Sequence, residues 1–436
     1  MQPATHRSAS KLSELTPGTT LVLGWRAFTA EALEELGQNV TYVMAPCDVD
    51  TALRQGFGGD IVVVPDPTNV EHVLAGLERH DVDLKSFTAV GTNLEHALVA
   101  AAVVGDMSRA RSLSPHSAVL LRDKVAQKHT VRRAGLPVAD CFTVDTLLNL
   151  PVSDSAYPLV VKPLAGAGTT NTFVLASAQE AVLLQASRPG KEGYGPWAVE
   201  EFVDGAELQI DGVIRDGRLL ALTVSRYLQN LLIAIKTGGL VGTVLLEPSA
   251  HADLYAQARD LVSRALAALG HTNGVFHLEA FRQSDRLVFS ECAGRTSGGV
   301  VREKLQEKYG FDLVTEWARA LLGLPSAIPV TPPSELCYGS VNLLAEPGEI
   351  VSVPDAQRVL ALPGVVRASV EVGPGDVAGE PSVSSNTKAG RIVVAAQTED
   401  AVEQLLKSAA AWFTSQTIVK KQTIPTTSFP TSHRKS

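Results

Sequence analysis

The chain has 436 residues, 45% of them hydrophobic, and a formal net charge of -8. Such a length can bury several cores, the acidic balance leaves no basic stripe for a nucleic-acid partner, and no apolar run approaches the ~20 residues that a membrane span needs. Cys47, Cys141, Cys292 and Cys337 are scattered, form no CxxC and stand near no His at ligand spacing, which fits reduced thiols in a cytoplasmic protein.

In chain order, residues 21–24 read as a short strand and 28–36 as an amphipathic helix closed by Gly37. Residues 40–44, 61–64 and 89–91 are further strands, so an α/β unit fills roughly the first 110 residues. It carries no GxGxxG, and it is expected to be a scaffold that supplies a substrate wall. Residues 109–117, rich in Arg and Ser, read as a connector. A helix over 123–134 follows, begun by Asp123 and stopped by Gly135-Leu136-Pro137.

Tyr157-Pro158-Leu159-Val160-Val161-Lys162-Pro163 is a strand that ends in lysine and runs into Leu164-Ala165-Gly166-Ala167-Gly168-Thr169-Thr170-Asn171-Thr172. Backbone N–H groups and a point charge in such a loop suit an anion, phosphate above all, although the same residues also suit an ordinary turn. Trp197-Ala198-Val199-Glu200-Glu201-Phe202-Val203-Asp204-Gly205-Ala206-Glu207 is a strand edge with backbone donors and acceptors for an adenine ring. Glu207 can accept from ribose hydroxyls.

Two apolar segments carry the densest chemistry: Val275-Phe276-His277-Leu278-Glu279-Ala280-Phe281 and Arg286-Leu287-Val288-Phe289-Ser290-Glu291-Cys292. Paired about Asp285 through a three- or five-residue loop, they set Glu279 directly opposite Glu291. Facing carboxylates on a half-buried sheet repel, so the arrangement asks for a cation. Mg²⁺ fits, since it takes one or two carboxylates and completes its shell with water and phosphates. The plain alternative leaves both acids on a solvated face. Glu291 also opens Glu291-Cys292-Ala293-Gly294-Arg295-Thr296-Ser297-Gly298-Gly299, where an arginine fork suited to phosphate oxygens is followed by glycines that admit close backbone approach.

These pieces, in this order, resemble the ATP-grasp superfamily over residues 110–325, and more weakly in the lobes on either side. The resemblance implies an α/β (α+β) ATP-grasp fold: a pre-ATP-grasp α/β lobe (1–120), a small lobe with a glycine flap (121–200), a large lobe with the metal site (201–330), a C-terminal α/β lobe (331–415) and a disordered tail (416–436). It implies that Lys124 and Lys162 hold the ATP phosphates, that Glu200 and Val203 bind adenine through main chain, and that Glu207 binds ribose. The loop 166–172, with Gly166, Gly168 and Thr169, would close over the phosphates. Glu279 and Glu291 would hold Mg²⁺ or Mn²⁺, and Arg295 would steady an acyl phosphate. Many members carry Asn two residues after the second Glu, where this chain has Ala293. Either Glu291 bridges two ions with more water, or one ion alone binds tightly.

A carboxylate is a poor electrophile, and γ-phosphoryl transfer makes it an acyl phosphate that an amine can attack. Lysines, Mg²⁺ and an arginine supply the charge neutralisation this needs, and a flap keeps water out. The implied activity is ATP-dependent ligation of small-molecule carboxylate and amine substrates, giving ADP, phosphate and an amide. His277-Leu278-Glu279, the Glu291–Arg295 run and the segments 362–365 and 372–376 are most similar to carboxylate-amine ligases that join amino acids, including the L-amino-acid ligases of bacterial secondary metabolism. The rivals are a biotin-carboxylase-like enzyme, opposed by the lack of a Met-Lys-Met carrier among only three methionines, a purine-pathway ligase, and a non-catalytic ATP-binding module. A homodimer is compatible with the resemblance. His277 reads equally as a core histidine or a group near the phosphates, and Arg302 with Glu303 as substrate contacts or a helix start.

Overall fold

The computed structural model describes residues 19–298, 300–379 and 388–420, which leaves out Gly299 of the glycine pair. Its first lobe is a parallel sheet in the order β3-β2-β1-β4, formed by β1 (Thr19–Leu23), β2 (Asn39–Met44), β3 (Asp60–Val63) and β4 (Ala89–Gly91). The strands are continuous apolar runs because helices cover both faces. Val22, Tyr42 and Met44 pack with the helix Ala27–Glu35 and with Trp317 of the distant helix Leu313–Leu322, while Leu21, Val43 and Val62 pack against Val73 and Val104. Residues 109–117, expected as a connector, instead turn helical at Pro115. Ser114 Oγ accepts the Ser117 N–H at 3.1 Å and proline takes the first helical position, which starts the helix Pro115–Leu120.

The second lobe is an antiparallel sheet, β5-β8-β6-β7, from β5 (Cys141–Thr146), β6 (Leu159–Pro163), β7 (Phe173–Leu175) and β8 (Tyr194–Glu201). Before it runs the helix Lys124–Arg133. Asp123 Oδ1 caps it, accepting from Val125 N at 3.0 Å and Ala126 N at 2.9 Å, and Gly135 at φ +76° ends it. The cap fixes Lys124 in the first turn and Lys128 one turn later on the same side.

The remaining strands are β9 (Ala206–Arg215), β10 (Arg218–Tyr227), β11 (Gly242–Leu245), β12 (Gly274–Gln283), β13 (Arg286–Ala293), β14 (Cys337–Leu343), β15 (Gly348–Ser352), β16 (Val365–Val370), β17 (Val377–Ala378), β18 (Gly390–Ala396) and β19 (Ile418–Lys420). Eight of them make one sheet, β13-β12-β9-β10-β11-β14-β18-β16, so the chain after 331 extends the sheet of the large lobe. The period-2 alternation of strand side chains sorts this sheet into two faces. Leu208, Ile210, Val224, Phe276, Leu278 and Phe289 pack beneath it with Leu261 and Val262 of the helix Ala252–Ala268, and Val341, Ile392 and Val394 with Leu406 and Phe413 of the helix Glu399–Gln416. The other face is polar. Glu279 lies opposite Gln209, Gln209 opposite Ser225, His277 opposite Asp211, and Tyr227, Thr243 and Ser340 stand side by side on β10, β11 and β14.

The β12–β13 hairpin departs from the expected loop. Its turn is the two residues Ser284-Asp285, with Gln283 paired to Arg286 and Ser284 at φ +52°. Carried on unbroken, that register would set Glu279 against Ser290 and turn Glu291 into the apolar face. A bulge between Glu279 and Ala280 on β12, matched by the extra residue Ser290 on β13, restores the Glu279↔Glu291 pair.

The tail expected to be disordered from 416 begins instead with β19, whose Lys420 pairs with Glu349 of β15; residues 421–436 lie outside those described. Asp123→Ala removes both capping contacts and is expected to cost about 1 kcal/mol. A lower urea midpoint at unchanged m-value, followed by circular dichroism, is the expected readout.

Candidate functional site

A cleft of about 480 Å³ opens between the two smaller lobes and the polar face of the large sheet. Lys124, Lys162, Gly166, Gly168, Thr169, Glu200, Val203, Glu207, Glu279, Glu291 and Arg295 all line it. They arrive on elements scattered along the chain: Lys124 on a capped helix turn, Lys162 near the end of β6, Gly166, Gly168 and Thr169 on the loop after it, Glu200 on β8, Glu207 on β9, and the facing acids on the hairpin.

The charges form an alternating ladder. Lys124 Nζ lies 3.1 Å from Glu291 Oε2, which is 3.7 Å from Lys162 Nζ. Lys162 Nζ lies 3.0 Å from Glu200 Oε2, and Glu200 Oε1 lies 2.9 Å from Lys128 Nζ. Lys128 also donates to the carbonyl of Ser290 at 2.5 Å, which anchors the bulge. Burial by itself would raise the Glu291 carboxyl, but Lys124, Lys162 and Lys128 overcome it and hold the group well below the usual carboxylate range. Burial likewise opposes the charge of Lys162, and Glu200 and Glu291 outweigh it and raise that ammonium.

The expectation for Glu200 changes in one respect. Its backbone sits inside the sheet, between Cys141 of β5 and Val160 of β6, so the strand edge open to a ligand begins beyond Glu201, toward Val203. What Glu200 brings to the cleft is its carboxylate.

The opposite wall comes from the first lobe, which contributes charge as well as surface. Glu95 Oε1 lies 2.5 Å from Arg122 Nη1, and Glu95 Oε2 accepts from Arg295 Nε at 2.8 Å. Arg122 also reaches His96 Nδ1, at 3.2 Å, and the carbonyl of Ala165 in the glycine loop. Lys124 donates to Gly166 O at 3.0 Å, so two cations hold this loop. Gly168, Thr169 and Asn171 have φ of +62°, +61° and +56°. For the β-branched Thr169 that conformation is strained by about 1 kcal/mol or more, a cost typical of ligand-gripping loops.

On the sheet, Glu279 Oε1 lies 3.4 Å from Tyr227 OH and 3.5 Å from His277 Nε2, while His277 Nδ1 faces Asp211 Oδ1 at 3.0 Å. Burial opposes protonation of His277, but Asp211 prevails and raises it to about 10. Glu207 accepts the Leu231 N–H at 2.8 Å, and burial, reinforced by Glu279, pushes its carboxyl up to about 8. Among the described residues no three His, Cys, Asp or Glu side chains converge as a metal cage. A divalent ion here would rest on the hard oxygens of Glu279 and Glu291 and need further oxygens from substrate and water.

Lys128, Glu95, Arg122, Asp211 and Tyr227 were not singled out in the sequence. Lys128 could have been, since it follows Lys124 at i+4 on one helix face. Glu95 could not, because only the docking of the first lobe brings it to Arg295. Arg302 takes the helix-start reading: its Nε meets Asp312 Oδ2 at 2.5 Å, at the beginning of the helix Val301–Tyr309. Among the described residues, no helix is long and apolar enough to cross a membrane.

A raised carboxyl pKa makes the folded state bind the extra proton, so the Glu207 contribution to stability is complete below its unfolded value near 4.5 and is lost as pH rises through about 8. Between pH 5 and 6, where His277 is mostly protonated in both states, Glu207→Gln should flatten the decline in unfolding free energy by about 1 kcal/mol. Urea titrations of the ligand-free protein at both pH values measure it.

Residues 342–415 match the family model of the L-amino acid ligase C-terminal domain 2. An L-arginine-specific L-amino acid ligase of Bacillus subtilis is 26% identical over 66% of this chain and 70% of its own length. Among solved structures, an L-amino acid ligase of Bacillus licheniformis superposes with a TM-score of 0.73 at 18% identity, covering 94% of this chain and 100% of that one. A carboxyaminoimidazole ribonucleotide synthase of Aspergillus clavatus complexed with ATP gives 0.70 at 18% identity, over 91% and 99%.

Proposed function

We propose that this chain, which belongs to the ATP-grasp carboxylate-amine ligases, joins two amino acids through an acyl-phosphate intermediate and releases ADP and phosphate. The observation that carries the reading is the ladder Lys124–Glu291–Lys162–Glu200–Lys128 set beside the Glu279↔Glu291 pair in one cleft.

Phosphoryl transfer needs positioning and charge neutralisation more than covalent help. Lys124 and Lys162 would bind the polyphosphate, and its negative charge would replace the pull that Glu291 now exerts on both. The edge beyond Glu201, with Val203, would take the adenine, and Glu207 the ribose. The loop 166–172 would exclude water, which protects an acyl phosphate from hydrolysis. Arg295, oriented by Glu95, would face the phosphoryl group as an amine attacks the carbonyl carbon and expels phosphate. Glu279 and Glu291 would hold Mg²⁺, or Mn²⁺, whose chemistry is to neutralise phosphate oxygens during transfer. Ala293 lies opposite His277 on the same polar face, so an asparagine there would point toward this site.

The C-terminal match to an amino-acid-ligase domain favours amino acids over bicarbonate or a ribonucleotide. A biotin carboxylase and the ribonucleotide synthases share the fold, so product analysis decides among them. ADP and phosphate release with Mg-ATP should require a pair of amino acids, and mass spectrometry should find a product one water lighter than their sum. Release without any amine, or none with any pair, would overturn the reading.

Glu291→Ala is expected to abolish turnover while the circular dichroism spectrum stays native, and full activity in that variant would remove Glu291 from the site. Chelation of divalent ions should stop release and added Mg²⁺ restore it. Ala293→Asn should keep activity and leave the Mg²⁺ requirement equal or lower, read as the Mg²⁺ concentration for half-maximal rate.

A further inference from the structure

Lys304, on the helix Val301–Tyr309, is fully buried and takes no part in the ladder. Among the described residues its ammonium meets hydroxyls only, donating to Ser225 Oγ at 3.0 Å and to Thr243 Oγ1 at 2.7 Å. A buried cation that pairs with no carboxylate costs several kcal/mol, and it persists where an anion completes the site. The nearby Asp211 is engaged by His277. Burial drags the Lys304 ammonium down to about 8 in the ligand-free protein, which agrees with a missing counter-charge.

The hydrogen-bond directions then follow. An ammonium has donors only, so Thr243 Oγ1 accepts from Lys304 and must turn its own proton elsewhere. Its neighbour across the β11–β14 pair is Ser340 Oγ, at 3.4 Å. Ser340, having accepted, presents its proton in turn. Thr243 and Ser340 both line the cleft, on the same polar face as Glu279. Lys304, Thr243 and Ser340 thus form a chain whose donating end and positive potential face the cleft.

We propose that Lys304, acting through Thr243 and Ser340, is the positioning residue for the α-carboxylate of the amine-side amino acid. This rests on the ligation reading above. The choice of substrate follows from the chemistry: the acid-side amino acid spends its α-carboxylate in forming the acyl phosphate and then the amide, whereas the amine-side partner keeps its own throughout. A fixed donor for an unreacted carboxylate recognises the amine-side partner.

The experiment measures KM for ATP, for the amine-side amino acid found productive with the wild-type enzyme, and for the primary amide of that amino acid. It uses the wild type, Lys304→Met, Thr243→Val and Thr243→Ser. Loss of a hydrogen bond to a charged group should raise KM for the amino acid about tenfold or more in Lys304→Met and Thr243→Val. KM for ATP should stay put, and the preference for acid over amide should collapse. Thr243→Ser, which keeps the hydroxyl, should behave as the wild type, and the isosteric Thr243→Val carries the test if Lys304→Met fails to fold. An unchanged acid-to-amide preference in Thr243→Val, or a parallel rise in the KM for ATP, overturns the proposal and leaves ligation intact. Absence of product from the wild type with every amino-acid pair overturns both.

Discussion

One extra residue in β13 decides where the chemistry can occur. Ser290 shifts the hairpin register by a single step and turns Glu291 out of the apolar face, which holds Phe289 and Cys292, onto the polar one. A carboxylate on the other side would be buried among leucines and would have to take up a proton to stay there. In its actual place it joins, half-buried, a line of alternating charges whose other members are buried and each of which is flanked by its opposite. The bulge is itself tied to that line, because the Lys128 ammonium that neutralises Glu200 also binds the Ser290 carbonyl. Geometry and electrostatics therefore support one another: the bulge places Glu291, and the lysines hold both the acid and the bulge.

The same economy joins the lobes. Glu95 reaches the cleft from the first lobe and is shared by Arg122 and Arg295, so three elements far apart in the chain meet at one carboxylate. The first lobe is set there by apolar packing of Tyr42 and Met44 with Trp317, remote from the chemistry. Arg122 and Lys124 also bond the carbonyls of Ala165 and Gly166, so the cation shared with Glu95 and the cation shared with Glu291 together hold the glycine loop. On the proposed reading, a nucleotide entering the cleft would compete with those contacts and so couple loop position to occupancy.

Local chemistry was legible wherever it depended on neighbours in the chain. The Asp123 cap, the Gly135 stop, the strand leading to Lys162 and the facing acids of the hairpin all follow from residue type and spacing. The turn was not legible, because a two-residue turn with a bulge and a longer symmetric loop bring the same two acids together. The connector at 109–117 hid a proline-initiated helix that was signalled by Ser114-Pro115. The sheet pairing of the Glu200 backbone, and the meeting of its carboxylate with Lys128 and Lys162, depend on strands distant in the chain and were not legible from neighbouring residues.

The chain by itself determined the alternation of apolar and polar residues along each strand, the helix caps and the identity of the groups that could meet phosphate and metal, because these are properties of a few consecutive residues. Only the tertiary structure decided that Glu95 would hold Arg295, that Glu200 would separate two lysines, and that Lys304 would lie beneath Thr243. Those contacts join residues tens to hundreds of positions apart. Their partners are chosen by how sheets and lobes pack, and buried charge accepts only the partners that packing brings within reach.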